Sequence, residues 1–294
     1  MSASIPSRRT WRQKRRRMEE GLVKFLMLSS FLLVAGSLGF ILVVVILKGL
    51  PALNLAMLTQ SPKGGFYMGK EGGILNAILG SLYLAIGGSL IAVVISLPIV
   101  LFLNVYGRRS PWAGAVRLSL DVLWGIPSIV YGAFGFTLML ALGLRASLLG
   151  GIITLALLEI PIMTRAMDEV MRMMPTDLEQ AAFAIGATRL ETAFNVIVRQ
   201  LLPGLVTAGM LAFGRAIGDA ASVLFTAGYT DRIPTSLFRP VASLPLAVFF
   251  QLGTPFPEVQ QRAYASALVL TIMVLGISLG SRWLAGRLSK YTIR

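Results

Sequence analysis

Glu179-Gln180-Ala181-Ala182, then Gly186-Ala187-Thr188, then Leu202-Pro203-Gly204 make up the stretch on which the reading of this chain turns. The tract is polar-flanked and lies between two apolar spans, within a loop covering residues 165–204. A chain that otherwise fills a membrane has reason to keep amphipathic helix in one loop if that loop touches something soluble. The helix signals are good: Thr176 and Asp177 follow Pro175 and can cap a helix whose third turn reaches Gly186. Gly186 then allows a close backbone approach or a break between two short helices.

Composition requires the membrane. With 294 residues, 55% of them hydrophobic and 14% charged, and a mean hydropathy of +0.76, the apolar surface exceeds what one soluble core can bury. There is no Cys and no His, which removes disulfide scaffolds, thiolate and imidazole metal sites, Cys and His nucleophiles and the commonest general base. The net charge of +14 would suggest nucleic acid in a soluble protein, whereas in a membrane protein it records topology.

Hydropathy marks six helices, at 22–47, 74–105, 116–142, 147–164, 205–228 and 263–285. The first follows Arg8, Arg9, Arg12, Lys14, Arg15, Arg16 and Arg17. It is longer than the ~7–15 apolar residues of a cleaved signal, so it reads as a retained membrane helix. The second is overlong and contains Pro98, which predicts a kink or an extension past the bilayer. The third and fourth contain Pro127 and Pro161, tolerated where neighbours satisfy the freed carbonyls. Placing both termini inside puts 19 of the 27 Lys and Arg on the cytoplasmic side, as the positive-inside rule requires. The outer segment Val241–Phe250, bracketed by Pro240 and Pro255, is too short to span and is expected to be interfacial or re-entrant.

The resulting expectation is an all-α polytopic protein. Residues 1–21 form a basic cytoplasmic tail, 22–50 the first membrane helix, 70–285 a transmembrane domain with its inner loop at 165–204, and 286–294 a cytoplasmic C-terminal tail.

Charges inside the spans are the candidate site. Arg215 lies near the middle of the predicted fifth span, where an Arg costs ~2.5–3.5 kcal/mol on insertion scales and should face protein or water. Asp219, one turn on, can pair with it, either as a packing strut or beside a polar path. Gly214 and Gly218 offer a small-residue seam for another helix. Arg165, Asp168 and Glu169 gather at the end of the fourth span, compatible with a solvated helix end or with a functional cluster. Glu159 either accepts bonds from a neighbouring helix or lines the path.

The loop resembles the one by which ATP-binding-cassette importer permeases dock on their ATPases. That family's motif reads Glu-Ala-Ala, three residues, Gly, then a distal Leu-Pro. Gln180-Ala181-Ala182 with Gly186 matches its first half, Gln180 replacing Glu and Glu179 standing one residue early, while Arg199 stands where the family has Pro. From about residue 70 to 285 the chain resembles the PstA-type permeases of phosphate importers. The likeness is carried by Gly72-Gly73-Ile74, Gly125-Ile126-Pro127-Ser128-Ile129-Val130-Tyr131-Gly132 and Gly214-Arg215-Ala216-Ile217-Gly218-Asp219-Ala220-Ala221. Leu224-Phe225-Thr226-Ala227-Gly228, Arg239-Pro240-Val241-Ala242-Ser243-Leu244-Pro245 and Gln260-Gln261-Arg262-Ala263-Tyr264-Ala265 extend it.

The resemblance implies the six-helix, type I importer (MetI-like) architecture in the bacterial inner membrane. It implies a homologous PstC-type second permease, two copies of a PstB-type ATPase carrying ATP and Mg, and a PstS-type extracytoplasmic phosphate-binding protein. The family's transport arginines fall on Arg215 and Arg165, with acids at Asp219, where the family has Glu, and Asp168. ATPase coupling falls on Glu179, Gln180, Ala181, Ala182 and Gly186. No cofactor is expected on this chain, which has no Walker-type loop of its own. A permease for sulfate, molybdate or a phosphonate, an ion-coupled secondary transporter and a membrane hydrolase are the rivals. The inner loop disfavours the secondary transporter, and the hydrolase lacks a recognisable constellation.

Overall fold

The computed structural model describes residues 8–63, 72–108 and 110–288, whose regular elements are helices joined by turns. Helix α1, Arg8–Gly49, runs unbroken for 42 residues, about 63 Å at 1.5 Å per residue. The basic segment expected at 1–21 is, from Arg8 on, helical and continuous with the helix expected at 22–50. Residues 1–7 and 289–294 of the two tails lie outside the described residues. Most of α1 is exposed, and its last turn meets the final helix, with Lys48 Nζ 4.9 Å from the Tyr264 ring centroid.

After a short helix α2, Leu55–Thr59, the second span is α3, Leu75–Leu101, extended by a π-helical turn over Phe102–Tyr106. Its buried face, Gly80, Ser81, Leu84, Ala85, Gly88, Ser89, Ala92 and Ser96, recurs every three or four residues and consists mostly of small side chains. Small residues let helix backbones approach in the membrane. A Cβ added at Gly151 of the fourth span would sit 2.6 Å from Leu84 Cδ2, so α3 and that span pack closely enough that a larger residue there would have to displace the Leu84 side chain.

The third span is broken. Its halves, α4 (Pro111–Trp124) and α5 (Ser128–Ala141), meet at 99° across Gly125-Ile126-Pro127. Pro127 disfavours helical backbone at Ile126, and Tyr131 donates its hydroxyl to Leu123 O at 2.9 Å across the bend. The described residues thus offer five helices long and apolar enough to span, or six with the bent pair as one.

The fourth span, α6, covers Leu148–Arg172. Arg165, Asp168 and Glu169, expected in the loop, are its last turns. The loop helix α7 is Thr176–Ala184. Its capping position is taken by Pro175 with no side-chain cap, so Thr176 and Asp177 are the first helical residues rather than caps. A short α8, Arg189–Glu191, then a π-helical turn, Thr192–Val198, lead without interruption into α9, Arg199–Gly218. The inner loop shrinks accordingly to residues 173–188.

The fifth span ends ten residues earlier than hydropathy places it. Asp219 has left the helix, at φ −81° and ψ 125°, and its Oδ2 accepts from the backbone N–H of Ser222 at 2.8 Å and from its hydroxyl. An Asp that bonds the backbone just ahead competes with helix and ends it. Residues 220–228 turn, and α10, Leu244–Leu252, enters the core, Val241 to Ala247 being buried. Ser81 Oγ accepts from the Leu244 N–H at 2.8 Å, fixing α10 against α3. The outer segment is therefore inserted into the bundle, not laid at an interface. Helix α11, Pro257–Leu288, closes the fold.

Candidate functional site

The loop helix ends in a shape that only a few residues permit. Gly186 has φ +87°, and its N–H donates to Phe183 O at 3.0 Å while Ala187 N–H donates to Ala182 O at 3.1 Å. These bonds terminate α7 and consume its last carbonyls. Thr188 restarts the helix with a reciprocal cap, accepting from the Glu191 N–H while Glu191 accepts from the Thr188 N–H at 2.8 Å. Of the two roles expected for Gly186, the break between short helices is the one observed. Gln180, Ala181, Phe183 and Ile185 are exposed around this turn, Ile185 at 87%, whereas Ala182 packs inward. Glu179 Oε2 pairs with Arg108 Nη1 at 3.2 Å.

Above the loop lies a cluster centred on Asp168, whose side chain is 1% exposed. Its Oδ1 accepts from Asn104 Nδ2 at 2.7 Å and Arg117 Nη2 at 3.1 Å. Its Oδ2 meets Arg117 Nε at 2.9 Å, Arg172 Nε at 3.1 Å and Arg165 Nη1 at 3.6 Å. Arg165 is shared outward with Asp121 Oδ1 at 2.9 Å and Glu169 Oε1 at 3.7 Å. A buried carboxylate is tolerable only with such pairing. The structure thus brings Arg165 and Asp168 together as expected, but Asp168 is enclosed by side chains and does not line an open path.

The second pair is not formed. Arg215 is exposed on α9 and makes no ion pair among the described residues, and Asp219 is engaged with Ser222. The expectation of one shared helical face fails because the helix ends between them. Gly214 and Gly218 would meet nothing within 4 Å if each gained a Cβ, so among the described residues no helix packs on that seam. Glu159 is buried, and its Oε2 accepts from Ser89 Oγ of α3 at 2.6 Å, which selects the neighbouring-helix role, while Oε1 has no partner.

Sequence reasoning missed Asn104, Arg108, Arg117, Arg172 and Ser89. Asn104 and Arg117 reach Asp168 from 64 and 51 residues away, beyond any local spacing rule. Arg117 and Asp121, one turn apart on an amphipathic helix, were the available hint. Among the described residues no group of three or more His, Cys, Asp or Glu could hold a metal ion.

Residues 96–293 match the family described as "Binding-protein-dependent transport system inner membrane component". The phosphate transport system permease protein PstA of Haemophilus influenzae is 32% identical over 83% of this chain and 85% of its own length. PstA of Yersinia pestis is 31% identical over 95% of this chain and 94% of its own. Among solved structures, the inward-facing MetNI methionine ABC transporter superposes with a TM-score of 0.61 at 18% identity, covering 73% of this chain and 95% of that one. A bacterial alginate ABC transporter, solved with a pentasaccharide-bound periplasmic protein, gives 0.59 at 12% identity over 97% of this chain and 100% of that one. These structures establish the fold, that of the type I importer permeases, and the match over two-thirds of the sequence establishes the kinship. The chain belongs to the family of inner-membrane components of binding-protein-dependent transport systems.

Proposed function

We propose that this chain is a permease subunit of an ATP-driven phosphate importer, with both termini in the cytoplasm. The observation that carries the reading is its 31–32% identity to phosphate permeases over 83–95% of its length. The exposed turn at Gly186 is the shape expected of a knob that seats in an ATPase groove. Hydrolysis belongs to that partner, present in two copies with ATP and Mg. A second permease completes the path, and an extracytoplasmic binding protein delivers the anion.

Arg215 is the residue best suited to meet the substrate. Its guanidinium is permanently charged, suits an oxyanion geometrically and has no carboxylate among the described residues to satisfy it. One Arg rather than a closed cage permits release. Asp219 shapes the turn that follows, and Arg165, partly exposed, stands at the loop end of the path.

Reconstitution with the expected partners tests this. ATP-dependent uptake of phosphate, with sulfate, molybdate and phosphonate poorly carried, is the expected result. Preferential uptake of another oxyanion overturns the substrate assignment, and uptake without any ATPase overturns the mechanism.

A further inference from the structure

The α3–α4 turn is a weak place held by one strong and one weak fastening. The π-helical turn Phe102–Tyr106 loosens the end of α3, and Gly107 leads to Ser110, which caps α4 through the Trp112 N–H. Single π-helical turns of this kind are rare and occur frequently at functional sites. Two sets of contacts bracket this one. On one side, Arg117 of α4 grips Asp168 with both Nε and Nη2, while the same Nη2 lies 3.4 Å from Leu103 O and from Asn104 Oδ1. Asn104, in the π-helical turn itself, donates to the same carboxylate. On the other side, Arg108 reaches Glu179 of the loop helix.

These two fastenings differ in kind. The Arg108–Glu179 pair is solvent-exposed on the arginine side and holds little by itself. The Asp168 cluster is buried, bidentate and shared by three segments: the π-helical turn, α4 and the end of α6. Asp168 lies one turn before α6 ends at Arg172, at the point where the chain feeds into α7.

We propose that Arg117 and Asn104 are positioning residues for coupling. Through Asp168 they lock the α3–α4 turn to the end of α6, so that displacement of the loop helix moves α3, α4 and α6 as one body. Without the lock, a push at α7 is absorbed at the π-helical turn. The inference rests on the proposed coupling role of the loop.

The test uses the full transporter complex in proteoliposomes, measuring phosphate uptake and ATP hydrolysis together. Arg117→Lys keeps the charge but loses the two-pronged contact, and Asn104→Ala removes the donor from the π-helical turn. At unchanged assembly, uptake per ATP hydrolysed is expected to fall by roughly 3- to 30-fold in Arg117→Lys and by less in Asn104→Ala, the range such couplings span. An unchanged ratio in both variants, or uptake and hydrolysis declining together with the amount of assembled complex, overturns the proposal. Because the chain has no Cys, spin labels at Ala115→Cys and Met173→Cys, in a complex with cysteine-free partners, give a readout independent of the substrate. Their separation should stay fixed through the ATP cycle and broaden in Arg117→Lys; a broad or changing separation without that substitution overturns the lock. Hydrolysis without phosphate uptake in the unaltered complex would instead count against the proposed function.

Discussion

Two Arg–Asp pairs stand one helical turn apart in this chain, and the fold treats them oppositely. Arg165 and Asp168 sit within α6, in continuous helix, and other segments close over Asp168 with Arg117 and Asn104, beside Arg172 one turn on in α6 itself. Arg215 and Asp219 straddle the end of α9, so Asp219 turns to Ser222 and Arg215 is left exposed without a carboxylate among the described residues. Identical side-chain chemistry becomes a buried fastening in one region and an open charge in the other. Helix continuity, together with which distant segments arrive, makes the difference. On the proposed function this divides the labour: the loop end would transmit, and the far end of α9 would meet the anion or a neighbouring subunit.

The largest expected effect lies at the fastening. Asp168→Ala leaves Arg117, 17% exposed, beside a vacancy and should cost about 3–5 kcal/mol, as breaking a buried pair usually does. The thermal midpoint of the purified protein reads it, and an unchanged midpoint would mean that the cluster is solvated and the contrast false. Next comes Glu159, the remaining buried acid of α6. Glu159→Leu deprives the Ser89 hydroxyl of its acceptor and should cost about 1–3 kcal/mol, while Glu159→Gln keeps an acceptor and costs less. Equal midpoints for the two variants would contradict the assignment of that hydrogen bond.

At the loop, Gly186→Leu must hold a φ of +87° with a side chain, a strain of about 1–2 kcal/mol. There is open space around the glycine, so the penalty is in the backbone, and Gly186→Asn should be milder. The expected signature is a protein that inserts normally but retains less ATPase on purification. Full retention with Leu would detach the loop from coupling. Smallest is Arg108→Ala, an exposed pair worth about 0–1 kcal/mol, which should leave the thermal midpoint almost unmoved. A large drop would show that the two fastenings of the α3–α4 turn are more alike than their exposure indicates.

Much of this was legible in the sequence, for reasons that particular residues make plain. Long apolar runs located every span, and Pro175 and Gly186 bounded the loop helix closely, because the φ that proline fixes and the positive φ that glycine permits are local demands, although Thr176 and Asp177 proved to be helical residues and not caps. Hydropathy could not see that Pro127 would bend the third span by 99°, since apolar residues continue on both sides. Nor could it see the end of α9 at Gly218, because Ala220 to Ala227 remain apolar while Asp219 and Ser222 set the turn. Glu169 was read with Arg165 and Asp168 from spacing alone. Which of the three would be enclosed depended on Asn104 and Arg117, whose approach is a property of the packed bundle.

The central claim is that Arg215 is left open because it works on the transported anion. Arg215→Gln in the reconstituted complex tests it most directly, with uptake, assembly and thermal midpoint measured on the same preparation. The account predicts unchanged assembly, a midpoint shifted little because no ion pair among the described residues is lost, and phosphate uptake abolished. Because Asp219 is bonded to Ser222 and not to Arg215, adding Asp219→Asn should not restore uptake. Normal phosphate uptake by Arg215→Gln, or its recovery in the double variant, would contradict the account and leave Arg215 a surface charge or half of a packing pair.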